Sequence, residues 1–250
     1  MRNPAAGGGR WVEVAPERFA TWAGSFGERH GQLAAEASPA VLTLTAADGS
    51  IAECHVPFPP MTSLAPARRP AAGVPGEPPR PGEPPGPEQA PGSGEAVSAG
   101  TLIAGVSAHA TAPRTVAILL VRLGGYATGV FAGSPPELVA SKTGSRLVHG
   151  RSAAGGWSQH RFARRREKQA AEALDAAAAA AVRVFGPYQG ELDAVVLGGD
   201  RRTAASLRDD PRVRPYLPLA TDRFLTVPEP RLAILRDSPR LFRAIRIRLY

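Results

Sequence analysis

The spacing of apolar residues divides the chain into elements before any motif is considered. Residues 10–14 alternate, with Trp11 and Glu13 against Val12 and Val14, which predicts a short strand. Pro16 then stands at a first-turn position. Phe19, Trp22, Ala23 and Phe26 recur at helical spacing as far as Gly31, a suitable C-terminal cap. Those rings form one stripe, read as core packing, with a base-stacking platform as the alternative. Residues 41–45 and 51–56 alternate on either side of Ala46-Ala47-Asp48-Gly49, which predicts a hairpin. Apolar runs at 116–123, 126–131 and 138–143 are separated by Gly124-Gly125 and Gly133-Ser134-Pro135-Pro136, so they predict consecutive antiparallel strands in one sheet.

A helix is expected from 159 to 185, with Phe162, Ala170, Leu174, Ala177, Ala181 and Val184 facing inward until Gly186-Pro187 stops it. Residues 192–197 read as a buried strand. Gly198-Gly199 then leads to Asp200, an N-cap for a helix to about Leu207; that turn reads either as a plain strand-to-helix connection or as a phosphate cradle. A strand within 217–227, a helix from 228 to 235 and a closing strand at 244–249, with Ile245, Ile247 and Leu249 inside and Arg246 and Arg248 outside, complete the pattern. The alternation of strand and helix predicts an α/β fold, with a mixed, largely antiparallel sheet and packed helices.

Composition then sets boundaries. Residues 58–100 turn abruptly to Pro, Gly, Glu and Ala, with almost no large apolar side chain after Leu64, so they cannot bury enough surface to offset their ordering entropy. The expected organisation is a disordered lead-in at 1–9, a strand-helix-hairpin portion at 10–57, a disordered Pro-rich insertion at 58–100 and a main domain at 101–250. The first residues lack the apolar core of a signal peptide and no apolar run approaches a membrane span, so a cytoplasmic protein without a membrane partner is expected. Cys54 is the single cysteine, which excludes a disulfide framework and a thiolate metal cage and leaves a half-buried strand residue.

Charge changes the picture at one place. Between Lys142 and Lys168 eight cations face only Glu167, so this window carries +7 of the chain's net +8. It contains a Gly/Ser/Ala-rich loop, Gly144 to Ser158, then Gln159, then a helix start dense in Arg161, Arg164, Arg165, Arg166 and Lys168. Such a density of cations suits a polyanion, with a solvated helix face as the plainer reading. Gly155 and Gly156 carry no Cβ and let the backbone come close to a ligand. His149 and His160 lack further ligands at metal spacing, and Ser145, Ser152 and Ser158 lack an Asp-His pair. No phosphate-binding or dinucleotide glycine fingerprint occurs, so no cofactor or metal is expected. A phosphate backbone held by the cations would leave Gln159 free to orient a water or stabilise an oxyanion; otherwise Gln159 is only the start of a helix.

Gly144-Ser145-Arg146, Gly155-Gly156-Trp157-Ser158-Gln159 and the Arg-rich helix resemble the Vms-like release-factor family, in its bacterial peptidyl-tRNA hydrolase branch. Leu123-Gly124-Gly125-Tyr126 and Val196-Leu197-Gly198-Gly199-Asp200 extend the resemblance over roughly residues 10–56 and 115–249. It implies a domain like the catalytic middle domain of eukaryotic-type class-one release factors. It also implies release of nascent chains from peptidyl-tRNA on stalled large ribosomal subunits, in ribosome-associated quality control. Gln159 matches the catalytic glutamine, and Gly155 and Gly156 the loop glycines, although Trp157 and Ser158 interrupt the strict Gly-Gly-Gln triplet. Trp157 is read as stacking on the terminal adenosine or as packing the loop. Arg146, Arg151, Arg161, Arg164, Arg165 and Lys168 are the candidate RNA contacts. No stop-codon-reading portion is evident. Two other functions are weighed: a nuclease at the tRNA CCA end, and a non-catalytic RNA- or ribosome-binding module.

Overall fold

The computed structural model describes residues 9–61, 97–122, 124–145 and 158–250, the stretch 158–170 by its main chain only. Residues 1–8 of the expected lead-in and most of the expected Pro-rich insertion lie outside the described residues. In chain order the elements are β1 (Arg10–Val14), α1 (Phe19–His30), β2 (Leu33–Ala37), β3 (Val41–Ala46), β4 (Ile51–His55) and α2 (Ala99–Thr111). There follow β5 (Val116–Arg122), β6 (Gly125–Ala132), β7 (Glu137–Ser145), α3 (Ser158–Phe185), β8 (Ala194–Gly199) and α4 (Arg201–Arg208). The chain closes with β9 (Ala220–Leu225), α5 (Leu232–Asp237), α6 (Pro239–Phe242) and β10 (Ile245–Leu249). Two compact units result. One comprises Met1–Val12, Arg18–His109 and Arg246–Tyr250, and the other Glu13–Glu17 and Ala110–Ile245.

The first unit is built on a sheet of order β1-β10-β4-β3-β2. Alternation decides its faces: Leu42, Leu44, Ala52, Cys54 and Ile247 are fully buried, as are Phe19 and Ala23 of α1, whereas Glu53 and His55 point the other way. Phe19, Trp22 and Phe26 stack in sequence along α1, with centroids 6.1 and 5.5 Å apart, and Phe19 and Phe26 are buried. The stripe is therefore core. Cys54 is wholly buried rather than half-buried, and loss of solvent pushes its thiol up to about 12, which keeps it from acting as a thiolate.

The second unit carries a sheet of order β7-β6-β5-β8-β9. β5 is antiparallel to β6 and β6 to β7, while β8 is parallel to β5 and β9 to β8. Four strands thus run one way and only β6 runs back. β5 is buried from Val116 to Val121, as its unbroken apolar run requires of a central strand covered on both faces. One face packs Ala117, Leu119 and Val121 with Ala177, Ala178, Ala181 and Val184 of α3 and with Ala204 and Leu207 of α4. The small alanines let α3 lie close to the sheet. On the other side Phe131 meets Phe242 edge-on at 5.8 Å, and α5 packs on β6 and β7.

One strand sits elsewhere than the sequence suggested. Residues 244–249 read as the closing strand of the α/β sheet, but β10 pairs antiparallel with β4, Ile247 opposite Cys54 and Arg248 opposite Glu53. Its inside and outside faces are as expected, because alternation fixes faces; it does not fix the partner.

Candidate functional site

Because β5, β7, β8 and β9 run in the same direction, their last residues, Arg122, Ser145, Gly199 and Leu225, share one edge of the sheet. In open α/β sheets the carboxyl edge is where ligands are received. The glycine-rich loop leaves from this edge, between Ser145 at the end of β7 and Ser158 at the start of α3. Arg146, Arg151, Gly155, Gly156 and Trp157 lie outside the described residues. Gln159 is the second residue of α3, and Arg161, Arg164, Arg165 and Lys168 follow within its first three turns. At 100° per residue, these four cationic positions occupy the stripe of the helix roughly opposite that of Leu174, Ala177, Ala181 and Val184. Their side chains fall outside the described part of the molecule.

The entry to the loop is fixed by a cross-strand pair. Tyr126 of β6 stands opposite Gly144 of β7, and a Cβ at Gly144 would come within 2.6 Å of the tyrosine ring. Glycine at 144 therefore makes room for that ring just before the chain leaves the sheet.

At the same edge a second turn is locked. Gly199 has φ +101°, a left-handed value, and an added Cβ would be 2.0 Å from the Val121 carbonyl oxygen. Asp200 caps α4 by accepting from the Thr203 N–H at 2.8 Å and from the Thr203 hydroxyl at 2.7 Å. Those bonds, with Arg122 nearby, hold the carboxyl below its ordinary range. The sequence reading of Asp200 as an N-cap is thus realised, and Gly198-Gly199 serves as a strand-to-helix turn.

Between α3, α4 and the β5–β6 turn lies an open cleft of about 170 Å³. Its floor is apolar, from Val121, Ala173, Leu174 and Ala177. Its rim carries Arg122, Gly125, Arg202, Thr203 and Ser206. Arg122 is steadied by donating to the Val227 carbonyl at 3.0 Å. Sequence reasoning missed this cleft, since its polar side chains come from a strand end, Arg122, and from a helix far along the chain, Arg202, Thr203 and Ser206.

Elsewhere, His30, Asp48 and Ser50 cluster, but both partners share one ring nitrogen: Nδ1 is 2.9 Å from Asp48 Oδ2 and 3.1 Å from Ser50 Oγ. A hydrolytic triad needs the two on opposite nitrogens; this cluster instead braces the β3–β4 turn. Among the described residues no group of three or more His, Cys, Asp or Glu side chains is arranged to hold a metal ion, and no helix is long and apolar enough to cross a membrane.

Residues 114–248, more than half of the chain, match the family model described as Actinobacteria/chloroflexi VLRF1 release factor. The chain belongs to the VLRF1 release factor family. The matched span holds β5 to β9, the segment from Gly144 to Lys168 and the whole carboxyl edge. No curated protein matches. Among solved structures, an archaeal translation termination factor, aRF1, is 13% identical with a TM-score of 0.37, covering 48% of this chain and 32% of its own. A structure titled only as an archaeal protein is 12% identical (TM-score 0.35; 55% and 35% covered), and the Vms1 mitochondrial localization core is 9% identical (TM-score 0.35; 82% and 74%). The chain spans about a third of the length of the first two. At these identities and scores the likenesses say nothing of chemistry.

Proposed function

We propose that this VLRF1-family chain is a peptidyl-tRNA hydrolase that frees nascent peptides on stalled large ribosomal subunits without reading a stop codon. The observation that carries the reading is the family match across residues 114–248, a span in which Gly155, Gly156 and Gln159 stand between the end of β7 and the first turn of α3. A release factor must bring water to an ester deep in RNA. A glycine-rich loop joined to a 28-residue helix, about 42 Å long, suits that task, because the helix can carry cations along RNA phosphates while the loop reaches ahead.

Gln159 orients the attacking water through its amide. The water oxygen bonds to the carbonyl carbon, the bond to the tRNA ribose oxygen breaks, and the water's proton leaves with that oxygen. Glutamine does not titrate, so it positions and stabilises; it is not the base. Arg146, Arg151, Arg161, Arg164, Arg165 and Lys168 hold tRNA or ribosomal RNA phosphates, and Trp157 stacks on the terminal base or packs the loop. The test is to resolve the tRNA 3′ end after reaction. Ester hydrolysis leaves it intact with the peptide free; a shortened tRNA assigns a CCA-end nuclease instead, and no product of either kind assigns a binding module.

A further inference from the structure

We infer that the cleft between α3, α4 and the β5–β6 turn is a receptor for one splayed-out nucleotide of RNA, with preference for a base bearing an exocyclic amine. The inference rests on the reading above only in taking RNA as the partner; it concerns residues that reading does not use.

The cleft has the shape and the chemistry for a base. A single water needs roughly 10–15 Å³ of such space, so about 170 Å³ admits a planar group far larger. Val121, Leu174 and Ala177 give it an apolar floor, which suits the face of an aromatic ring. Arg122 and Arg202 stand at the rim, where a sugar-linked phosphate would lie once the base is seated. Arg122 is held in place by its bond to the Val227 carbonyl, so little of its freedom remains to be lost on binding. Asp200, beside the cleft, is engaged by the Thr203 N–H and hydroxyl and lies near Arg122.

The preference comes from the two rim hydroxyls. Thr203 Oγ1 spends its hydrogen on Asp200 Oδ1 at 2.7 Å, and Ser206 Oγ spends its hydrogen on the Arg202 carbonyl at 3.2 Å. Each hydroxyl has one hydrogen and two lone pairs, so both are left as acceptors. A ligand edge meeting them must donate. Adenine, cytosine and guanine offer an exocyclic NH₂, whose two hydrogens can meet both oxygens; uracil offers only its single N3–H, set between two carbonyls that the hydroxyl oxygens repel. Replacing a matched donor by a carbonyl at such a site weakens binding by roughly three- to tenfold.

The experiment uses the full chain, isotope-labelled, titrated with AMP, CMP, GMP and UMP and with inorganic phosphate, followed by backbone amide shifts. The amine-bearing nucleotides should shift amides of residues 121–125, 173–177 and 202–206 saturably, UMP should bind several-fold more weakly, and Ser206→Leu and Arg202→Glu, both at exposed positions, should each remove the effect while α4 amides keep their folded dispersion. Equal shifts with UMP, shifts reproduced by phosphate alone, no saturable shift, or binding unchanged in both variants would overturn the inference. On large subunits carrying peptidyl-tRNA, a photo-crosslink from these segments to ribosomal RNA or to tRNA identifies which RNA supplies the nucleotide, and RNA crosslinks confined to other segments contradict the site. Amide shifts are read without hydrolysis, so the outcomes separate: nucleotide binding by a chain that never releases peptide removes the hydrolase reading alone, and release by a chain that binds no nucleotide removes the cleft alone.

Discussion

The main-chain N–H of Asp200 donates to the carbonyl of Val121 at 2.7 Å, tying the turn after β8 to the last buried position of β5. The approach is possible because Gly199 has no side chain where one would strike that carbonyl. Gly199→Ala combines a left-handed φ with a backbone clash and should destabilise the second unit by about 2–3 kcal/mol. Urea unfolding followed by circular dichroism checks this; an unchanged midpoint would mean that the turn is not held as described.

Gly144→Ala should behave differently. The atoms that its Cβ would meet are the far end of the Tyr126 ring, which can swing aside, so the expected loss of stability is below about 1 kcal/mol. The ring lies beside the last residues of β7, from which the loop departs. Displacing it should misplace the loop and slow peptide release on the order of tenfold to a hundredfold. Release kinetics measured beside thermal unfolding separate this from a plain folding defect.

The sequence made much of the second unit legible. The unbroken apolar run of β5, the Gly-Gly break after it and the helix from Ser158 to Phe185 could be read directly, because a buried central strand and a long amphipathic helix leave strong patterns. Asp200 could be read as a cap because its side chain satisfies a local backbone donor. Three features could not. β2, Leu-Ala-Ala-Glu-Ala, is an edge strand whose alanines speak for helix, and only its pairing with β3 makes it a strand. α2 buries little beyond Leu102, Val106 and Ala110, too thin a stripe to stand out from the Gly/Ala-rich chain before it. The partner of β10 depends on a contact between opposite ends of the sequence. In the candidate site, the order loop, glutamine, cationic helix is plain in sequence, whereas the cleft exists only once Arg122 and Thr203 are brought to one edge.

His55 gives the first unit a pH dependence. It stands opposite Arg246 on β10, with Trp11 at 5.1 Å between ring centroids, and its Nε2 is 4.0 Å from Glu53. Burial holds its pKa below the ordinary 6.5, and Arg246 and Arg248 add to this, against an opposing pull from Glu53. The unfolded chain therefore takes up the proton first, and stability present above about 6.5 is lost as pH falls below it. Urea midpoints read by tryptophan fluorescence should drop from pH 7 to pH 5, and His55→Gln should flatten that part of the profile.

Arg164→Glu with Arg165→Glu should weaken binding to large subunits at every salt concentration tested. If the two side chains meet phosphates, the slope of log affinity against log salt becomes shallower by about 1 to 2. An unchanged slope would place the RNA contacts elsewhere on the chain.

The most direct test of the hydrolase reading compares wild type with Gln159→Ala on stalled large subunits carrying labelled peptidyl-tRNA, with binding measured in the same samples. The account predicts binding within about twofold of wild type and release slowed on the order of a hundred- to a thousandfold. Release at the wild-type rate by Gln159→Ala would contradict it.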